Sequence, residues 1–151
     1  MRRSFLKILG FSLVSYLLVP LSSILAATKT LFNKNLTDEQ KDIMFNEGTE
    51  RPFSSELNNE NRKGFYHCAN CGAKLFASKS KFDSGTGWPS FSEALPGAFK
   101  TKVDRKFGMV RTEYHCARCG VHHGHVFNDG PSKNGKRFCN NGLCLIFKPE
   151  N

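Results

Sequence analysis

Two copies of one short pattern constrain this chain more than anything else in it: Cys68-Ala-Asn-Cys71-Gly72 and Cys116-Ala-Arg-Cys119-Gly120. Two residues between cysteines let one tight turn present both sulfurs to a single ion. Two such turns complete a closed tetrahedral four-thiolate site, the ligand set of structural zinc. Between Cys71 and Cys116 stand 44 residues, against roughly 12–20 in a small independent zinc module. The ion is therefore expected to clasp two distant segments of one larger domain. A disulfide framework is the competing use of six cysteines in an exported protein, but 151 residues is long for a disulfide-dependent scaffold.

The same export question arises at the other end of the chain. Residues 1–27, MRRSFLKILGFSLVSYLLVPLSSILAA, join a basic start to an apolar run from Ile8 to Val19 and a close on Ala26-Ala27. This is the anatomy of an export signal, and Arg2-Arg3-Ser4-Phe5-Leu6-Lys7 resembles a twin-arginine address. The expectation is an exported, periplasmic protein with its domain over residues 28–151. The alternative is a membrane anchor over 1–27, which would be its one membrane contact. The formal net charge is +9. Three positive charges belong to the leader, and four thiolates around a divalent ion add a net −2, so the domain carries about +4. That is a mildly basic surface, and nucleic-acid binding is not expected.

Along residues 28–151 the pattern is a helical flank and then short strands. Thr37-Asp38-Glu39-Gln40 fits a capping box, with the helix ending near Glu47-Gly48. Residues 49–63 are polar and read as loop. From Gly64 onward, strands are expected at Phe65–His67 and Lys74–Ala77, and a hairpin at Val103–Thr112. A final strand is expected over Phe138–Phe147, interrupted at Gly142. Ser84-Gly85-Thr86-Gly87-Trp88-Pro89-Ser90 cannot be regular structure. The fold class is mainly β: antiparallel strands with short N-terminal helices, stapled by the four-cysteine site.

With four cysteines assigned to metal, Cys139 and Cys144 remain. Arg137, Cys139 and Asn141 are spaced i, i+2, i+4, so on a strand they share one face. A guanidinium favours the thiolate, the nucleophilic form of cysteine, and an asparagine amide can donate to an oxygen. A buried, inert cysteine is the plainer reading. Three of the five histidines fall within His122-His123-Gly124-His125. They could form a solvated turn, or a proton-donating pair flanking a reacting oxygen. On a regular strand His122 and His125 face opposite ways, and a bulge near Gly124 could bring them together. Trp88 is either a pocket wall or ordinary core.

Y-H-C-A-N-C-G (66–72), K-F-D-S-G-T-G-W-P-S-F (81–91), R-T-E-Y-H-C-A-R-C-G-V-H-H-G-H-V-F-N-D-G-P (111–131) and R-F-C-N-N (137–141) resemble the B-type peptide methionine sulfoxide reductases. G-T-E-R-P-F-S (48–54) fits them too. The resemblance runs from about Leu36 to Pro149. It implies a two-sheet β fold, a structural zinc on Cys68, Cys71, Cys116 and Cys119, and repair of oxidised proteins by reduction of the R epimer of methionine sulfoxide. It further implies that Cys139 is the nucleophile and is oxidised to a sulfenic acid. His122, His125 and Asn141 would hold and protonate the sulfoxide oxygen. Arg137 and Asp129 would neighbour the nucleophile, and Trp88 would receive the substrate methyl group. Partners would be oxidised proteins or peptides and an external thiol reductant such as a thioredoxin-like protein, with the enzyme a monomer.

The chain departs from that pattern at Thr86, where many members carry a second redox cysteine. Cys144 lies five residues beyond Cys139 and would face away on a regular strand. Direct reduction by an external thiol is therefore expected. Two other classes compete: a zinc-stapled nucleic-acid-binding module, which salt-dependent DNA or RNA binding would reveal, and an interaction domain with a decayed site, which the intact Cys139, His122, His125 and Asn141 oppose.

Overall fold

Thr37 caps helix α1, Asp38–Asn46. Its hydroxyl accepts from the Gln40 N–H at 3.1 Å, and the Gln40 side chain accepts from the Thr37 N–H at 3.0 Å. The structure, a computed structural model, describes residues 28–150. The export or anchor expectation for residues 1–27 lies outside the described residues. Among those described, no helix is long and apolar enough to cross a membrane. α1 ends at Glu47, which takes a left-handed conformation with φ 62°. Three cations hold it there: Lys29 at 3.2 Å, Lys102 at 2.6 Å and Lys106 at 2.7 Å. One further turn, of 3-10 type, follows at Glu56–Asn59 within the segment expected to be loop.

Nine strands form two antiparallel sheets among the described residues, as the family resemblance implied. The smaller sheet is ordered β2–β1–β9, with β1 Gly64–Cys68, β2 Lys74–Ala77 and β9 Leu145–Pro149. The larger is ordered β3–β4–β8–β7–β6–β5. Its strands are β3 Lys81–Phe82, β4 Ser90–Phe91, β5 Phe99–Asp104, β6 Arg111–Cys116, β7 His122–Phe127 and β8 Arg137–Asn140. Aromatic side chains fill the space between them. Phe76 stacks on Phe91 at 4.0 Å, and Tyr66 meets Phe91 edge-on at 4.9 Å. Each such pair adds about 0.5–1.5 kcal/mol beyond its buried area.

The single final strand expected over 138–147 is instead two strands in different sheets. A 3-10 turn at Gly142–Cys144 carries the chain from β8 to β9. The interruption expected at Gly142 is therefore present, but it is a change of sheet, which residue spacing along one strand does not report.

Candidate active site

The metal cluster is where the two sheets are joined. Cys68 closes β1 in the smaller sheet and Cys116 closes β6 in the larger; Cys71 and Cys119 sit in the turns that follow. Each turn is closed by the same bond, Gly72 N–H to Cys68 carbonyl and Gly120 N–H to Cys116 carbonyl, both 2.8 Å. Both glycines are left-handed, φ 72° and 73°, which only glycine does freely. The four sulfurs lie within 4.8 Å of one another and could hold a metal ion.

Cys139 stands on β8, half-buried, in a cleft of about 130 Å³. Trp88, Arg111, His125, Phe127 and Asn141 are among the residues that line it. Trp88 reaches the cleft from its irregular loop, half-buried as a pocket wall would be, with its indole N–H donating to the Glu50 carbonyl at 3.1 Å. A wider groove of about 670 Å³ lies elsewhere, along Arg62, Phe65, Lys79 and Phe82. It contains no cysteine or histidine, so size does not mark the reactive cleft.

β7 brings the histidines to Cys139. The β7–β8 register sets His125 directly opposite Cys139. Direct partners across an antiparallel pair share a face, with Cβ atoms about 4.5–5.5 Å apart. The bulge expected near Gly124 is present: Tyr114 pairs Gly124 while His115 pairs His122, leaving His123 as the extra residue. It turns His122 and His125 to the same side, ring centroids 5.5 Å apart. Gly124 is required here, since a Cβ would meet the Cys139 carbonyl at 1.9 Å. His122 is buried behind His125 and does not line the Cys139 cleft.

Each histidine is held by a carboxylate from the β5–β6 hairpin. Asp104 Oδ2 lies 2.8 Å from His125 Nε2, and Glu113 Oε1 lies 2.9 Å from His122 Nδ1. Desolvation opposes the charge on Asp104, but the Lys106 N–H, His125 and Arg111 outweigh it and bring its pKa down to about 2. Glu113 is likewise held low, with His122 and Lys102 overcoming burial. Two ionised carboxylates fix the tautomers. His125 carries its proton on Nε2 and His122 on Nδ1, leaving His125 Nδ1 and His122 Nε2 free. Burial lowers the pKa of His125, with Asp104 opposing, so its ring is neutral at pH 7.

Arg137 makes a bidentate pair with Asp129 at 2.8 and 2.9 Å, and its guanidinium lies 4.4 Å from the Phe127 ring centroid. Neither Arg137 nor Asp129 lines the cleft; Asp129 orients Arg137, and Arg137 supplies positive charge to Cys139 from alongside. That charge does not win. Burial pushes the Cys139 thiol above its ordinary value, against the opposing pull of Arg137 and Thr86. The sequence expectation of a readily ionised thiol thus meets a desolvation cost that the residue pattern did not carry. Asn141 lies just past β8; its Oδ1 accepts from the Glu50 N–H at 3.1 Å and its Nδ2 donates to the His123 carbonyl at 3.0 Å. One Nδ2 hydrogen remains for a ligand. Cys144 is fully buried and its thiol donates to the His122 carbonyl at 3.5 Å.

Sequence reasoning missed Asp104, Glu113, Arg111 and Glu50. Glu50 is buried and accepts from the Gly142 and Leu143 N–H groups while its own backbone holds Trp88 and Asn141. The one available signal was an acid inside a strand pattern, as in Thr112-Glu113-Tyr114.

Residues 36–149 match the family described as SelR domain. A peptide methionine sulfoxide reductase MsrB of Variovorax paradoxus is 58% identical over 101 residues, 66% of this chain and 74% of the relative. One from Agrobacterium fabrum is 50% identical over 119 residues, 78% of this chain and 88% of the relative. Among solved structures, a Mis18 Yippee-like domain aligns at TM-score 0.49 and 17% identity, covering 60% of this chain and 99% of that one.

Proposed function

Since the chain belongs to the SelR domain family and is a peptide-methionine (R)-S-oxide reductase, we propose that Cys139 attacks the sulfoxide sulfur and that His125 carries the proton the reaction needs. The observation behind this reading is the cross-strand pairing of Cys139 with His125 inside a cleft walled by Trp88.

The substrate methyl group packs on the Trp88 ring, and the sulfoxide oxygen accepts the free Asn141 N–H. The Cys139 proton passes to His125 Nδ1, and the imidazolium is stabilised by Asp104. The thiolate attacks sulfur, the S–O bond breaks, and the oxygen, protonated from His125, ends on Cys139. Methionine sulfur gains two electrons and Cys139 sulfur loses two, giving a thioether and a sulfenic acid. No outside proton is consumed. His122 and Glu113 brace the His125 ring from behind. An external thiol then condenses with the sulfenic acid, releasing water, and a second thiol frees Cys139 as a disulfide leaves.

The four-cysteine cluster suits zinc. Zn–S bonds of about 2.3 Å in a tetrahedron place sulfurs about 3.8 Å apart, and the Cys68–Cys119 and Cys71–Cys116 separations are 3.8 and 3.6 Å. Zinc bound there supplies a cross-link between the sheets, not a reacting group. Export through residues 1–27 belongs to the same proposal, with peptide-bound sulfoxides of exported proteins as substrates.

The deciding experiment offers the protein separated R and S epimers of a blocked methionine sulfoxide with dithiothreitol. Reduction of the R epimer alone, with a dimedone adduct on Cys139, is expected. Equal turnover of both epimers, or turnover surviving in Cys139→Ser, would overturn the reading.

A further inference from the structure

Three non-glycine residues take left-handed φ among the described residues: Glu47, Phe53 at 64° and Phe107 at 57°. Glu47 has its three lysines. The two phenylalanines have no such anchor, and both are exposed, 72% and 86%. A left-handed bulky residue costs roughly 1–2 kcal/mol, and an aromatic ring left in water forgoes its burial gain. Neither ring is buried by the fold in return.

Their positions share one feature. The Phe53 N–H donates to the Gly87 carbonyl at 2.7 Å, which fixes it beside Trp88. Phe107 borders the small cavity that holds His122, His125 and Arg111. Thr49 lines both that cavity and the Cys139 cleft, so the two are contiguous. One phenylalanine therefore stands on the Trp88 side of the cleft and the other on the His125 side. Exposed Val110 extends the second apolar point. Two residues before each phenylalanine stands an exposed arginine, Arg51 and Arg105, and neither forms an ion pair among the described residues.

Resting on the reductase reading above, we propose that Phe53 and Phe107 are docking points for an extended, acidic polypeptide segment whose apolar side chains flank the methionine sulfoxide. A chain lying across the cleft meets an aromatic ring and a free guanidinium on either side of the reacting residue. An extended segment can present its methionine to a cleft of about 130 Å³ while its flanking side chains lie outside, towards the rings.

The test is fluorescence anisotropy with the full chain carrying Cys139→Ser, so that no turnover occurs. The probes are labelled 12-residue peptides with one methionine R-sulfoxide, flanked by Leu and Asp or by Ser and Asp, so that charge is held constant. The Leu/Asp peptide is expected to bind about tenfold tighter, the size of a partial aromatic burial. The double variant Phe53→Asn, Phe107→Asn should erase that difference while melting is unchanged or raised, because asparagine accepts the left-handed region. Equal affinity for the two peptides, or a preference that survives the double variant, would overturn the proposal. Loss of binding to phosphatidylglycerol vesicles in the double variant, without any peptide preference, would reassign the rings to a membrane surface and overturn it too. Should the unmutated chain fail to reduce a blocked sulfoxide while the peptide preference stands, it is the reductase reading that falls.

Discussion

Cys139 on β8 and His125 on β7 are direct cross-strand partners, and the proposed proton transfer between them rests on this pairing. The register that creates it is held from both sides. Gly124 allows the close approach of β7 to the Cys139 carbonyl, and the Tyr114 hydroxyl donates to Asn140 Oδ1 at 2.9 Å.

Replacing His125 with asparagine should lower turnover by roughly 10²–10⁴-fold, the usual contribution of positioned acid–base catalysis. Asp104→Asn should also slow the reaction, by loosening the ring and withdrawing support for its protonated form. It should leave a distinct mark on stability. The folded pKa of Asp104 is depressed from 3.8 to about 2, so its contribution is complete above the ordinary value and is lost as pH falls towards 2. Melting curves of the two proteins should therefore converge between pH 4 and 2. A constant gap across that range would show that Asp104 is not held as described.

Cys139 has its own pH signature. Burial raises its thiol pKa against the pull of Arg137 and Thr86, so thiolate should accumulate only in the alkaline range. Alkylation of Cys139 by iodoacetamide should still be accelerating at pH 9. Arg137→Met removes a charge that favours the thiolate, and the alkylation profile should move further up in pH. A profile unmoved by that change would mean that the guanidinium serves Asp129 and Phe127 alone.

Cys116→Ser should release the metal, measured by a chromogenic chelator, and lower the melting temperature, because the cluster ties β1 to β6. Cys139→Ser should do neither. Full metal content with unchanged melting in Cys116→Ser would remove Cys116 from the ligand set.

The parts of the site that local spacing controls are legible in the amino-acid sequence alone. The doubled C-x-x-C-G turns, the capping box at Thr37 and the irregular loop around Trp88 are short-range patterns, and each appears where the spacing places it. The carboxylates are not legible in that way. Asp104 and Glu113 reach the histidines through the pairing of β5, β6 and β7, and a charged residue in a hairpin looks the same whether it faces water or a buried ring. Glu50 is hidden for a similar reason, since its partners Asn141 and Gly142 lie some ninety residues away. The interruption at Gly142 is legible, but the change of sheet across Gly142–Cys144 is not, because residue spacing does not report which sheet a strand joins.

That break governs recycling. Because β9 belongs to the other sheet, Cys144 is carried into the core, where burial pushes its thiol pKa well up and its S–H is occupied by the His122 carbonyl. It is neither ionised nor exposed, the two properties an attacking thiol needs. One turnover without reductant should leave a sulfenic acid on Cys139, trapped by dimedone, and Cys144→Ser should keep most dithiothreitol-driven activity. Thr86 is placed differently: it stands in the Trp88 loop, near enough to Cys139 to pull its thiol pKa down. Thr86→Cys should therefore install a resolving thiol, so that peptide mapping after one turnover finds a disulfide between position 86 and Cys139 and dimedone labelling disappears. A Cys139–Cys144 disulfide in the unmutated protein, with turnover lost in Cys144→Ser, would show that the 3-10 turn opens during the cycle and that Cys144 is the resolver.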